Sequence, residues 1–408
     1  MARWRRITRI AGVTAGVTVG AAAAGVGAVL TAERLAANRL RLSPDPEAAE
    51  PLGELRGREY VVLAPDGVPL HVEVNGADEA PLTIVFCHGY ALHQDCWHYQ
   101  RRDLASRARL VFWDQRGHGR SERAQGAPVT VDQTGEDLDA VLRAMAPGRG
   151  RVVLVGHSMG GMTIMALAGG HPDLFGTKVA GVVLIATAAG GLGQPDGLMP
   201  GLPGPLRTFL QKAAPTVLRG VAAGRRAALV ERGRLAGREL ELLATRFLAF
   251  GDPQASLSLT EFVERMIREA PVGVIADFYS ALLGCDQSDV LAALGRVPVT
   301  VITGDKDRLI PPRLGVELAA EIPGARLAMV AGAGHAVMLE RPDVVNDAII
   351  GVLAEANQGK RPGLFRRSRD RKAGKAEGAA GAGAAGTGAG STDQKDEGKG
   401  EEGERGVA

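Results

Sequence analysis

A serine set between glycines at the end of an apolar run is the first feature with chemical meaning. Gly156-His157-Ser158-Met159-Gly160 follows Val152-Val153-Leu154-Val155 and precedes a stretch compatible with a helix. A strand that turns sharply into a helix holds such a serine in a strained conformation, and side chains at 156 and 160 would collide with neighbouring backbone. The helix beginning near Met159 would aim its first amides and its positive dipole end at the serine. A serine hydroxyl is a weak nucleophile and needs a base, and the base needs a group that orients it. His335, in Gly332-Ala333-Gly334-His335, is the base candidate, because the small residues around it leave an imidazole room to swing over the serine. For the acid, Gly304-Asp305-Lys306-Asp307-Arg308 offers Asp305 and Asp307.

The elements that must position these groups alternate along the chain. Tyr60–Leu63 and Leu70–Val74, separated by Pro65-Asp66-Gly67, predict a hairpin. Leu82–Cys87, Leu110–Trp113, Val152–Val155, Val182–Ile185, Val299–Ile302 and Arg326–Val330 are short, mostly apolar runs that suit strands buried on both faces. Helical stretches lie between them, including Val131–Met145, Met159–Ala168 and Val344–Ala356. The alternation predicts an α/β fold with a mostly parallel central sheet and helices on both faces. About 110 residues separate Ile185 from Val299, too many for a structureless loop. Leu240, Leu243 and Phe247, and likewise Phe262 and Met266, stand at helical spacing there. A helical cap inserted at about 190–292 is expected.

Four motifs in this order resemble the α/β-hydrolase superfamily from about residue 58 to 356. They are CHGY at 87–90, DQRGHGRS at 114–121, GHSMGG at 156–161, and TGDKDRLIPP with GAGH near the end. The resemblance implies a nucleophile elbow at Ser158 and the chain order serine, acid, histidine. It implies Asp307 as the acid, three residues after the strand-end glycine, with Asp305 still open. It implies an oxyanion hole made by the backbone amides of Tyr90 and Met159. Losing one such donor costs about 3 kcal/mol of transition-state stabilisation. Relatives that open epoxides or displace halide use aspartate where this chain has Ser158, which leaves acyl chemistry. GHSMGG is common in esterases and lipase-like members of the superfamily, so the resemblance implies a serine esterase; a membrane-tethered body with an apolar lid would suit apolar or lipid-like acyl substrates. A cofactor-free haloperoxidase or perhydrolase, a thioesterase, an amidase or an acyltransferase would use the same groups. Outside enzymes, the fold could serve as a ligand receptor or a membrane scaffold.

The remaining motif residues have simpler explanations. His88, His118 and His157 sit inside turns and are expected to be hydrogen-bonded structural groups. Asp114, Arg116 and Gly117 to Gly119 are expected to fix a loop through Arg–Asp pairing and glycine freedom. Cys87, Cys96 and Cys285 are odd in number and lack metal spacing, so they are expected as buried thiols, with no metal and no cofactor.

Composition divides the chain. Of its 408 residues 45% are hydrophobic and the net charge is +2, with no basic excess on the central part to suggest nucleic acid. The hydrolase domain is expected at 55–357. From 359 to 408 the chain is Gly, Ala and charge, and is expected to be disordered. Arg3, Arg5, Arg6 and Arg9 precede an uncharged run from Ile10 to Ala32, long enough to cross a bilayer though only marginally hydrophobic. Residues 1–42 are therefore expected to be a single-pass membrane anchor, with a cleaved export signal or a soluble helix as alternatives. The arginines favour a cytoplasmic N-terminus and a catalytic domain outside the cytoplasm, a bias weakened by Arg34, Arg39 and Arg41. Arg5-Arg6 resembles a twin-arginine signal, from which Trp4, Ile7 and Thr8 depart. Gly12, Gly16 and Gly20 share one helical face on which a second helix could pack.

Overall fold

Runs of Val, Ile and Leu with no polar side to turn toward water need cover on both faces. The computed structural model, which describes residues 41–77, 82–123, 129–148, 150–200 and 238–358, provides it. The strands are β1 Arg58–Leu63, β2 Pro69–Asn75, β3 Leu82–Cys87, β4 Arg109–Trp113, β5 Arg151–His157, β6 Val179–Ile185, β7 Val299–Gly304 and β8 Arg326–Val330. They form one sheet in the order β1-β2-β4-β3-β5-β6-β7-β8. β2 runs antiparallel to both β1 and β4, and every other pairing is parallel. The entry hairpin turns where Pro65-Asp66-Gly67 predicts, with Gly67 at a φ of 84° that an L side chain rarely adopts.

The helices are α1 His98–Leu104, α2 Val131–Met145, α3 Met159–Gly170, α4 Arg238–Ala249, α5 Leu257–Glu269, α6 Val272–Leu283, α7 Leu291–Leu294, α8 Pro312–Glu321, α9 Val337–Glu340 and α10 Pro342–Asn357. One face of the sheet, with Val85, Val111, Leu154, Val182 and Val301, packs on Leu138 and Leu142 of α2, Ile164 and Leu167 of α3, and Leu318 of α8. The opposite face, with Ile84, Phe86, Phe112, Val153 and Val183, packs on Leu104 of α1 and on Ile349 and Val352 of α10. β3, β6 and β7 are buried along their whole length, which is why the sequence shows continuous apolar runs there instead of alternation.

Between β6 and β7 the described residues hold α4 to α7; positions 201–237 of the expected cap lie outside them. The packed face of α4 differs from the expected one. Leu242, Thr245 and Ala249 are buried, whereas Phe247 is 58% exposed, with the Arg308 guanidinium 4.5 Å from its ring centre. Spacing alone could not choose between stripes two positions apart along the same helix.

Residues upstream of 55 also pack on this body. The Asp45 carboxylate accepts the N–H and hydroxyl of Ser258 at the start of α5, at 3.1 and 2.8 Å. Glu50 accepts from His98 and Arg102 on α1, both at 2.9 Å. Of the segment 1–42 only positions 41 and 42 are described, so the anchor or export signal and its Gly12, Gly16 and Gly20 face lie outside the described residues, as does the tail 359–408. Among the described residues no helix is long and apolar enough to cross a membrane.

Candidate active site

Every candidate position falls just beyond the carboxyl end of a parallel strand, where open α/β sheets place their ligand crevices. Ser158 follows β5 directly, at φ 52° and ψ −119°. A non-glycine residue held there is strained by about 1–3 kcal/mol and persists only where its surroundings impose it. The Ser158 N–H donates to the Ile185 carbonyl at 2.9 Å. Its own carbonyl accepts the Thr187 hydroxyl at 2.7 Å and the Gly161 N–H at 2.9 Å. The glycines are required by space. A Cβ on Gly156 would stand 2.7 Å from the Gly161 nitrogen, and one on Gly160 would overlap the Cys87 carbonyl.

His335 follows β8, and its Nδ1 lies 2.8 Å from Oδ2 of Asp307. The other Asp307 oxygen accepts the N–H groups of Leu309 and Ile310, each at 2.9 Å. Asp305 does other work: its Oδ1 accepts the Gly332 N–H at 2.7 Å, and it is paired with Lys306 at 3.7 Å. Of the two aspartates only Asp307 meets the imidazole. Ser158 and His335 border one cavity of about 380 Å³. No hydrogen bond joins the Ser158 hydroxyl to His335 among the described residues. Such contacts are often long in unliganded sites and tighten when substrate binds.

Tyr90 follows β3, and Met159 is the first residue of α3. Among the described residues neither backbone N–H has a protein acceptor, as expected of Met159 in the first turn of a helix. The Tyr90 hydroxyl donates to the Ile275 carbonyl of α6 at 2.6 Å, so its side chain ties this loop to the helices above. The cavity wall is apolar over most of its extent, with Leu92, Met162, Leu248, Val263, Ile267, Leu282, Ile310 and Met338; Glu241, Glu264 and Arg268 of α4 and α5 also border it.

The three motif histidines are hydrogen-bonded. His88 accepts the Gln115 N–H at 2.9 Å, and its Nδ1 lies 2.8 Å from the Gly89 carbonyl. Nδ1 of His118 lies 3.1 Å from the Arg116 carbonyl. Burial pushes both imidazoles down to about 3 and keeps them neutral. Nε2 of His157 lies 2.9 Å from the His335 carbonyl, so this histidine reaches the candidate site through the backbone of His335. Burial also holds His157 well below the ordinary imidazole range. The loop after β4 is fixed differently from the expectation. Arg116 pairs with Asp137 at 2.5 and 2.6 Å and with Asp66 at 2.8 Å, rather than with Asp114. Asp114 instead accepts the N–H groups of Gln94 and Arg120 at 2.9 and 3.0 Å. Apart from Arg120, those partners are remote in sequence, so no local pattern announced them.

Among the described residues two groups have donor atoms within 4.8 Å of one another, as a metal site requires: Glu59, His71 and Glu73, and Glu136, Asp139 and His171. The Arg120 guanidinium binds both glutamates of the first, and Arg143 binds Asp139 of the second at 2.6 Å. Neither borders the cavity. The three cysteines are buried free thiols.

Comparison with known proteins fits this geometry. The sequence pattern of the alpha/beta hydrolase family matches residues 84–348. The chain belongs to that family. Among relatives of this alpha/beta hydrolase is the provisionally named carbamate hydrolase RutD of Caulobacter sp. (strain K31). It is 28% identical over 286 residues, covering 70% of this chain and 96% of that one. A thermophilic esterase from Thermogutta terrifontis superposes with a TM-score of 0.57 at 25% identity, covering 74% of this chain and 99% of that one. A bromoperoxidase from Bacillus anthracis has the same TM-score, 0.57, at 21% identity, covering 73% of this chain and all of that one, and shares the fold.

Proposed function

We propose that this hydrolase cleaves carboxylic esters with an apolar acyl part through an acyl-enzyme intermediate. The carrying observation is the 2.8 Å contact between His335 Nδ1 and Asp307, at the edge of a mainly apolar cavity that Ser158 also borders. In this reading Ser158 Oγ attacks the ester carbonyl carbon while its proton passes to Nε2 of His335. Asp307 fixes the tautomer and stabilises the imidazolium. The carbonyl oxygen becomes an oxyanion and accepts from the Tyr90 and Met159 amides, fixed backbone donors of the kind that need little reorganisation. Collapse breaks the C–O bond, and His335 returns the proton to the departing alkoxide. Water then gives a proton to His335 and attacks the acyl-serine carbonyl; the C–Oγ bond breaks, His335 returns the proton to Ser158 Oγ, and the carboxylic acid leaves. The similarity to a named esterase supports this reading.

The test is fluorophosphonate labelling of the wild type and of Ser158→Ala, followed by p-nitrophenyl esters of graded acyl length. Labelling is expected in the wild type only. With each buried methylene contributing about 0.8 kcal/mol, kcat/KM should rise about fourfold per added carbon until the cavity is full. An unlabelled wild type, or equal hydrolysis by Ser158→Ala, overturns the nucleophile. Faster turnover of a carbamate, amide or thioester than of any ester overturns the ester assignment and leaves the nucleophile standing.

A further inference from the structure

The turn that carries His335 is gripped by a carboxylate absent from the chemistry above. One Glu340 oxygen accepts the Gly334 N–H at 2.6 Å. The other accepts the N–H groups of Gly251 and Asp252, at 2.9 and 3.1 Å. Gly334 immediately precedes His335, whereas Gly251 and Asp252 follow the last turn of α4, in the insertion over the cavity. The two segments lie back to back. A Cβ on Gly251 would stand 2.5 Å from the Gly334 nitrogen, and one on Gly334 would stand 2.6 Å from the Phe250 carbonyl carbon. Glycine at both places lets the backbones meet, and the amides left over converge on Glu340. Two residues beyond Gly334, the Ala336 N–H donates to the Ala249 carbonyl at 2.7 Å.

The acid loop is tied to the same helix end. Arg308, beside Asp307, donates to the carbonyls of Phe247 and Phe250 at 2.8 and 2.9 Å. The carboxyl end of α4 therefore touches the backbone of the base and the neighbour of the acid. Direct chemistry by Glu340 does not fit, because both its oxygens are taken by backbone amides and it does not border the cavity. Charge-assisted bonds to three amides of two segments give it a hold that a neutral side chain cannot reproduce.

We propose that Glu340 is a positioning residue for His335, and that by binding the end of α4 at the same time it couples the seating of the cavity roof to the seating of the base. The proposal rests on the reading of Ser158 and His335 as nucleophile and base. Glu340→Gln keeps the shape but replaces one acceptor oxygen with a donor, so either Gly334 or the Gly251–Asp252 pair loses its partner.

The experiment compares full-length wild type and Glu340→Gln in three measurements: the rate of fluorophosphonate labelling, kcat and KM on p-nitrophenyl butyrate, and amide hydrogen exchange. The variant should label and turn over about 10- to 100-fold more slowly, the loss expected from a displaced base, with KM within about threefold because Glu340 contributes no side chain to the cavity wall. Exchange should speed up together in peptides covering 249–252 and 332–336. Glu340→Asp, which keeps the charge with a shorter reach, should fall between the two, and serves as the variant if Glu340→Gln does not fold. A wild type that does not label overturns the reading of Ser158, and the proposal with it. A wild type that labels, beside a folded variant that labels equally fast, overturns the positioning role alone. Faster exchange in one segment only overturns the coupling.

Discussion

Replacing Asp307 by Asn tests the site through a single hydrogen bond. Asp307 lies buried with one oxygen on His335 Nδ1 at 2.8 Å and the other pinned by the Leu309 and Ile310 amides, each at 2.9 Å. An asparagine fits the same space. Its oxygen must stay on the two amides, because turning the group over would bring its NH₂ against two N–H donors. The NH₂ is then forced toward Nδ1 of His335. Nδ1 can only accept from it, so the ring proton moves to Nε2, the nitrogen that should take the serine's proton. The fold loses little, since every bond keeps a donor and an acceptor, but the base is in the wrong tautomer. Serine hydrolases that lose this carboxylate by the same exchange drop by about 10⁴ in kcat, which is about 5.4 kcal/mol in the barrier. The assay is kcat on p-nitrophenyl butyrate beside a urea unfolding curve. Asp305→Asn, whose carboxylate holds only the Gly332 N–H and the Lys306 ammonium, should keep kcat within about tenfold, a loss of no more than 1.4 kcal/mol. An Asp307→Asn enzyme retaining more than a tenth of wild-type kcat, or an Asp305→Asn enzyme as impaired as Asp307→Asn, refutes the assignment of the acid.

Acid should unfold the protein through its buried histidines. His88 and His118 are held at about 3 in the folded chain against about 6.5 unfolded. Their contribution is therefore fully present above about pH 6.5 and is lost as pH falls toward 3, because the unfolded chain binds the extra protons. The slope is about 1.4 kcal/mol per pH unit for each, roughly 2.7 for the pair, and His157 acts in the same direction. Thermal melts from pH 7 to 4 should show a steep fall in Tm, and a flat Tm over that range contradicts the buried neutral assignment. Gly160→Ala drives a methyl into the Cys87 carbonyl at the end of β3 and should cost more than about 3 kcal/mol by urea unfolding. Gly351→Ala, inside α10 with nothing near the new methyl, should instead stabilise by about 0.5–1 kcal/mol. Equal effects from these two substitutions would show that the crowding at the elbow does not matter.

Features whose causes are local can be read from the order of residues. A strand buried on both faces needs an unbroken apolar run, so β3, β6 and β7 were legible from composition alone. A sharp turn between strand and helix needs glycine at fixed offsets, so Ser158 and its glycines were legible as a unit. The motif order carried the family. Contacts between distant segments were decided only in three dimensions. Asp305 and Asp307 are two residues apart and chemically identical, and it is the turn after β7 that sends one to Gly332 and the other to His335. The packed face of α4 lies two positions on from the expected one, because neighbouring stripes look alike until a partner surface selects one. Arg116 found Asp137 and Asp66 across the fold instead of the nearby Asp114. Glu340 left a trace only as a single carboxylate after Val337-Met338-Leu339, an apolar stretch that could have prompted the question of what it binds. The answer lies nearly ninety positions back in the chain, at Gly251 and Asp252. Backbone amides have no letter in a sequence, and their pairing is settled only when the sheet brings the two loops together.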